Sequence, residues 1–149
     1  MSAQQNIVIA GGGMVGLSLA LLLDRVLPEA VRLTLVEGVA PPPAGAASGA
    51  YHPSFDARST ALSYSTATIY EELGLWSDLE TGMAPIRSIH VSRRGRPGST
   101  RLLAREQGWE ALGWVVENPC LGRGLLAAVR ARPRITLCCP ARVTGARAG

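Results

Sequence analysis

The sequence contains no lysine. All 15 basic residues are arginine, set against 11 acidic residues, for a formal net charge of +4 at pH 7. A nucleic-acid binder gathers its positive charge on one face or in one motif. No such motif occurs here, so the arginine excess reads as a compositional bias, and no nucleic-acid partner is expected. Charged residues make up only 17% of the chain, which disfavours long solvated helices and coiled coils. Cysteine is scarce. Cys120, Cys138 and Cys139 are odd in number, and two of them are adjacent. That is a poor disulfide framework, and it fits a reducing, cytoplasmic compartment. No Cys-x-x-Cys pair or paired-histidine spacing suggests zinc, and no metal site is expected. The three thiols read as small buried apolar side chains.

The chain also lacks a membrane-spanning run. Residues 7–23 are almost wholly apolar, but glycines 11, 12 and 13 interrupt them and Asp24 and Arg25 stop them. A spanning helix needs about 20 apolar residues. A secretory leader needs a positive start, and residues 1–6 carry no charged side chain.

What is present is enough apolar mass for a core. The 149 residues are 47% hydrophobic, which suits one domain and excludes a disordered tail. Residues 6–10 (NIVIA) read as a parallel strand apolar on both faces. Residues 14–27 read as a helix apolar all round and therefore buried between layers. Residues 32–36 (RLTLV) form a second strand with Glu37 at its tip. Strand, glycine turn, helix and strand make one βαβ unit. A long loop over 38–53 follows, then a helix over 60–73 capped by Ser59 and closed by Gly74. Residues 75–83 read as a short helical turn, and 86–92 with 100–104 as an antiparallel hairpin. A brief strand is expected at 114–116, a helix at 119–131, a strand at 135–139, and the start of another at Val143. The fold class expected is α/β: a Rossmann-like domain with a parallel sheet and an antiparallel hairpin.

The glycine turn carries the chemistry. Gly11-Gly12-Gly13-Met14-Val15-Gly16 matches G-x-G-x-x-G. Gly11 permits the tight turn, bare Gly13 lets a pyrophosphate approach the backbone, and Gly16 lets helix and strand pack closely. The helix N-terminus, with Met14 and Val15 in its first turn, offers N–H groups and the positive end of a dipole to phosphate. Glu37 lies 21 residues beyond Gly16, where a carboxylate can accept hydrogen bonds from an adenosine ribose. These features predict a dinucleotide site and leave FAD and NAD equally open.

Several segments resemble one family. The opening I-V-I-A-G-G-G-M-V-G-L-S-L-A-L-L-L and the L-V-E at 35–37 look like FAD-dependent aromatic hydroxylases of the p-hydroxybenzoate hydroxylase type. Phe55-Asp56-Ala57-Arg58-Ser59-Thr60-Ala61-Leu62 resembles the F-D-x-R-x-x-A-L signature of the ubiquinone-biosynthesis hydroxylases within that group. Leu73-Gly74-Leu75-Trp76, Ile89-His90-Val91-Ser92 and Val115-Val116-Glu117-Asn118 continue the likeness.

The resemblance implies that Gly11, Gly13, Met14, Val15, Gly16 and Glu37 hold the ADP half of FAD. It implies that Arg58 reaches the cofactor with its planar, permanently charged guanidinium, and that Asn118 contacts the flavin. The family also carries a D-G motif in mid-chain and a later G-D motif, and neither occurs here. The resemblance therefore implies that residues 1–149 are the N-terminal part of an FAD-binding domain, without its remainder or the substrate domain. It implies an intact enzyme that uses NAD(P)H and O2 to hydroxylate a prenylated phenol. The expected location is the cytoplasm, with peripheral contact to the inner membrane or a ubiquinone-biosynthesis complex. This piece alone is expected to be inactive and prone to self-association. No catalytic acid or base is required of it.

The other conspicuous residues have plainer readings. Arg58 can pair with Asp56 or Glu72 on the surface. His52 reads as a surface residue and His90 as a half-buried strand position. Arg123 reads as a solvated helix residue. Arg93, Arg94, Arg96, Arg101 and Arg105 read as a solvated hairpin, with anionic lipid as the functional counterpart. Trp76, Trp109 and Trp114 read as packing residues. Two other functions compete with the flavoenzyme: an NAD-dependent oxidoreductase with an ordinary Rossmann domain, and a non-catalytic nucleotide-binding module.

Overall fold

A computed structural model of the chain describes residues 5–41, 43, 52–53 and 55–147. In chain order its elements are β1 (Asn6–Ala10), α1 (Met14–Val26), β2 (Arg32–Val36), β3 (Ser59–Ser63), α2 (Tyr64–Glu72), α3 (Trp76–Leu79), a 3-10 turn (Glu80–Gly82), β4 (Met83–Ile86), β5 (Ser88–Ser92), β6 (Ser99–Leu103), a second 3-10 turn (Ala104–Gln107), β7 (Gly113–Glu117), α4 (Asn118–Arg130) and β8 (Ile135–Cys138). They fall into two compact units, Met1–Arg58 with Asn118–Gly149, and Ser59–Glu117.

The first unit is built on a parallel sheet of order β1-β2-β8. Its register sets Ile9 beside Leu35 and Leu35 beside Leu137. Ile9, Leu33, Leu35 and Ile135 are buried and alternate along their strands, as the two-residue side-chain period requires. Helices α1 and α4 pack against one another. Leu17, Ala20 and Leu21 of α1 and Leu121, Leu125, Leu126 and Val129 of α4 are buried. Arg134 fastens the end of α1. Its Nε donates to the Asp24 carboxylate at 2.9 Å and its Nη1 to the carbonyls of Leu27 (3.2 Å) and Pro28 (2.9 Å). Its Nη2 donates to the Asp24 carbonyl. Carbonyls at a helix C-terminus lack intrahelical partners, and a cation there also complements the helix dipole.

Three burial expectations are corrected in this unit. Strand β1 is not covered on both faces, since Val8 is 55% exposed while Ile9 is buried. Val8 and Ile9 point to opposite faces of the sheet, and among the described residues only the face of Ile9 is covered. Helix α1 is apolar all round but not buried all round. Val15, Leu19 and Val26, close together on one side of the helix, are exposed. The three cysteines are half-buried, unbridged thiols rather than buried ones. Residues 141–147 form no strand, so Val143 does not begin one.

In the second unit β7 is the central strand of an antiparallel sheet of order β3-β7-β4. Leu62 and Pro85 both face Trp114 in register. Pro85 sits on an edge strand, where its missing N–H costs no ladder bond. Ala67, Ala111 and Trp114 form a small core, with Trp76 and Met83 packed against it. Trp114 meets Trp76 edge-on at 4.9 Å, while Trp109 stacks on Tyr64 at 4.4 Å and stays 42% exposed.

The expected hairpin is present as β5–β6, with Ile89 opposite Leu102 and Val91 opposite Thr100. His90 on it is exposed, not half-buried. The helix expected over 60–73 starts later. Residues 59–63 pair with β7 instead, and Ser63 rather than Ser59 caps α2 by accepting the Thr66 N–H. Strand β4 was not foreseen; residues 83–86 follow the helical turn directly and take their place from pairing with β7.

Candidate functional site

The turn from β1 into α1 needs glycine at two positions for separate reasons. Gly11 has φ +110°, a region that side chains rarely adopt. A Cβ on Gly16 would overlap the carbonyl oxygen of Gly11. The Gly11 N–H donates to the Val36 carbonyl at 2.8 Å, tying the turn to the end of β2. Gly13 is the N-cap residue of α1, in extended conformation, and its carbonyl accepts the Leu17 N–H at 2.9 Å. No side chain caps this helix, and its first turn holds no acidic residue. Met14 and Val15 open the helix, and Val15 is 83% exposed. The positive end of the dipole is thus offered outward over the glycine turn.

Glu37 closes this cradle. One carboxylate oxygen accepts the Gly12 N–H at 2.6 Å and the other accepts the Val39 N–H at 2.9 Å. Its main chain is fixed as well. Its N–H donates to the Cys138 carbonyl at 2.9 Å, and its own carbonyl accepts the Ala141 N–H at 2.8 Å. Burial by itself raises the Glu37 carboxyl. The N–H groups of Val39 and Gly12, the nearby His52 ring and the N–H of Gly38 act against this and hold it below its ordinary value. Glu37 therefore stands as a carboxylate. These main-chain bonds leave it a further lone-pair direction, since a carboxylate has about four acceptor sites. That site suits a hydroxyl of a ribose.

Residues 55–58 form a second constellation with the start of α4. Asp56 is its hub. One carboxylate oxygen accepts the Asn118 side-chain amide at 2.9 Å and the Arg58 N–H at 3.2 Å. The other accepts Arg58 Nε at 2.6 Å. Arg58 keeps 81% of its side chain exposed, whereas Asn118 is buried. The Asn118 N–H in turn donates to the Arg58 carbonyl at 2.9 Å. Burial raises the Asp56 carboxyl, but the Asn118 amide and the N–H and guanidinium of Arg58 outweigh it and hold the group below its usual value.

His52 is the largest departure from the sequence reading. It is buried, not on the surface, and its ring stacks on Phe55 at 4.7 Å. Phe55 lies where a Cβ on Gly122 of α4 would stand. His52 also acts electrostatically on Glu37. Most of the long loop expected over 38–53 lies outside the described residues.

The structure thus gathers Gly11, Gly13, Met14, Val15, Gly16 and Glu37 around one turn, and Arg58 and Asn118 around Asp56. Sequence reading treated Asp56 only as a surface partner of Arg58 and gave no role to Gly12. The i, i+2 spacing of Asp56 and Arg58 was the available signal for the first. Nothing short of the fold could reveal the second. Among the described residues no cluster of three metal-ligating side chains occurs, and no helix is long and apolar enough to cross a membrane.

No protein-family profile matches the chain. It is 30% identical over 142 residues to ubiquinone hydroxylase UbiL of Rhodospirillum rubrum, an alignment covering 95% of this chain and 31% of that protein. It is 31% identical over 136 residues to 3-demethoxyubiquinol 3-hydroxylase of Escherichia coli, covering 91% of this chain and 32% of that protein. Among solved structures, the flavin-dependent monooxygenase PieE, in complex with FAD and substrate, superposes with a TM-score of 0.60 at 22% identity, over 90% of this chain and 23% of that one. The chain spans about a third of the length of the curated relatives it matches. The expected likeness and the Rossmann-like α/β class are borne out: over nearly its whole length the chain is similar to ubiquinone hydroxylases, and it has the fold of the flavin-dependent monooxygenases.

Proposed function

We propose that the chain is the FAD-binding portion of a flavin-dependent monooxygenase. The intact enzyme would take NAD(P)H and O2 and hydroxylate a prenylated phenol in ubiquinone biosynthesis, of the kind used by a 2-octaprenyl-6-methoxyphenol hydroxylase. The observation that carries this reading is the Glu37 clamp on the Gly12 N–H, beside an uncapped helix N-terminus. The residues present fit the ADP half of the cofactor. Gly11 and Gly16 leave a turn without side chains, the α1 N-terminus supplies N–H donors for phosphate, and Glu37 supplies an acceptor for the ribose. Arg58 adds a cation with N–H groups for phosphate oxygens, and Asn118 stands at the start of α4 as a polar contact. The flavin, when bound, supplies the redox chemistry, and the protein supplies binding and orientation.

In this reading residues 1–149 are the N-terminal part of an FAD-binding domain, and the rest of that domain and the substrate domain belong to a longer protein. The piece alone is inactive, because the substrate pocket lies elsewhere. The hairpin supports a peripheral membrane contact. Ile89, Val91 and Leu102 are exposed on it, and Arg93, Arg94 and Arg96 lie in its connecting turn. A basic, partly apolar ribbon is attracted to anionic lipid.

The test is a visible spectrum after incubation with FAD and gel filtration. A flavin band that travels with the protein is the expected result. Retention of NAD with no flavin would favour the plain NAD-dependent dehydrogenase. Retention of neither would defeat the cofactor assignment for this chain.

A further inference from the structure

We infer that Asp56 is a positioning residue for the cofactor cation, acting through Arg58; this rests on the flavin reading above. The guanidinium of Arg58 is exposed, and an exposed arginine samples many rotamers whose ordering weakens any ligand it must meet. Here it is anchored at its base. Asp56 takes the Nε hydrogen at 2.6 Å, which fixes the plane of the fork and uses one of its five N–H groups. Among the described residues the four N–H groups on the two Nη atoms have no other partner.

The anchor itself is held from the other side. The same carboxylate accepts from the buried Asn118 amide at 2.9 Å, across 62 positions of sequence. The Arg58 and Asn118 main chains are joined by their own hydrogen bond. An arginine paired only with a solvated carboxylate would gain little order. One paired with a carboxylate that is braced on the first turn of a core helix gains a fixed origin. Asp56 thereby converts a surface cation into an oriented two-pronged donor for the phosphate oxygens of the dinucleotide.

The experiment measures FAD affinity by quenching of flavin fluorescence, with circular dichroism and thermal melting as fold controls. The proteins are the unaltered chain, Asp56→Asn, Arg58→Ala, the double variant and Arg58→Lys. Asp56→Asn keeps one acceptor oxygen for Asn118 and loses the acceptor for Arg58 Nε. It should weaken FAD about fivefold, the scale of ordering one long side chain. In the Arg58→Ala background the same change should have no further effect. Arg58→Lys keeps the charge but cannot be held by Nε, and should bind as weakly as Asp56→Asn. An equal loss from Asp56→Asn in both backgrounds would mean that Asp56 only braces the fold, and would overturn the proposal. So would unaltered binding in Arg58→Lys, a result that does not depend on Asp56→Asn folding. If the unaltered chain binds no flavin, the cofactor reading fails and this proposal fails with it.

Discussion

Glu37 meets two demands with one side chain. It holds the glycine turn in shape through Gly12, and it keeps acceptor capacity for a ligand. Replacing it with Gln sets an amide N–H against a main-chain N–H. The expected cost is about 1 kcal/mol, the low end for a polar group left unsatisfied because Glu37 is only partly buried. Urea denaturation would measure it. The pH dependence follows from sign. Glu37 and Asp56 are both held below their ordinary values in the folded chain. The unfolded chain therefore binds more protons in acid, and stability rises with pH. Their contribution is complete above roughly pH 4–5, where the unfolded carboxyls ionise, and disappears as pH falls through the folded values. Melting temperatures taken from pH 7 downward should fall in this range, and Glu37→Gln should make the fall shallower. At this scale the glycine turn was legible, because the positive φ of Gly11 and the close approach at Gly16 impose the residue type, and Glu37 was legible because it ends the strand beside that turn. Asp56 was not, because its partner Asn118 is brought to it by the fold rather than by the sequence. His52 was misread for a related reason: it stacks on Phe55, which itself lies against Gly122 of α4, and neither neighbour is visible in the small residues that precede it.

Element boundaries reveal where local preference and pairing competed. Serine precedes both candidate starts of α2, at 59 and at 63. The structure gives the cap to Ser63, whose side chain accepts the Thr66 N–H. Ser63→Ala should therefore destabilise the chain by about 1 kcal/mol, as typical N-cap losses do, while Ser59→Ala should change little. Chemical denaturation of both variants separates the two assignments. Four of the five residues of β3 were read as helix, with Ser59 as its cap, because no polar–apolar alternation stronger than S-T-A-L-S marked them. Their strand state comes from β7, more than fifty positions away. By contrast, β1, α1 and β2 were legible almost to the residue, since strand, glycine turn and helix follow one another with no distant partner needed. Helices α1 and α4 pack together in the first unit. Leu17 and Leu125 are fully buried there, and truncating either to Ala should cost about 2–5 kcal/mol.

For the whole molecule, two exposed surfaces stand out. One is the side of α1 that carries Val15, Leu19 and Val26 in the open, and exposed apolar side chains favour association between copies. Sedimentation should detect self-association that rises with concentration, and Val26→Glu should reduce it; a monomer at every concentration would remove the idea. The second surface is the arginine-tipped hairpin. Vesicles rich in anionic lipid should carry the chain in a flotation assay at low salt and lose it at high salt, as screened electrostatics requires. Replacing Arg93, Arg94 and Arg96 with Gln should abolish that flotation. The bond from the Asn118 N–H to the Arg58 carbonyl has a further consequence for engineering. The chain leaves the first unit at residue 58 and re-enters it at residue 118, and these two positions are already hydrogen-bonded neighbours. Everything between them is a cassette spliced into a single gap. Chain-closure entropy changes by only about 0.6 kcal/mol per doubling of loop length. Exchanging the insert for a tight turn, or for another cassette, is therefore expected to leave the Gly12–Glu37 clamp in place, and urea denaturation of such a variant would check it.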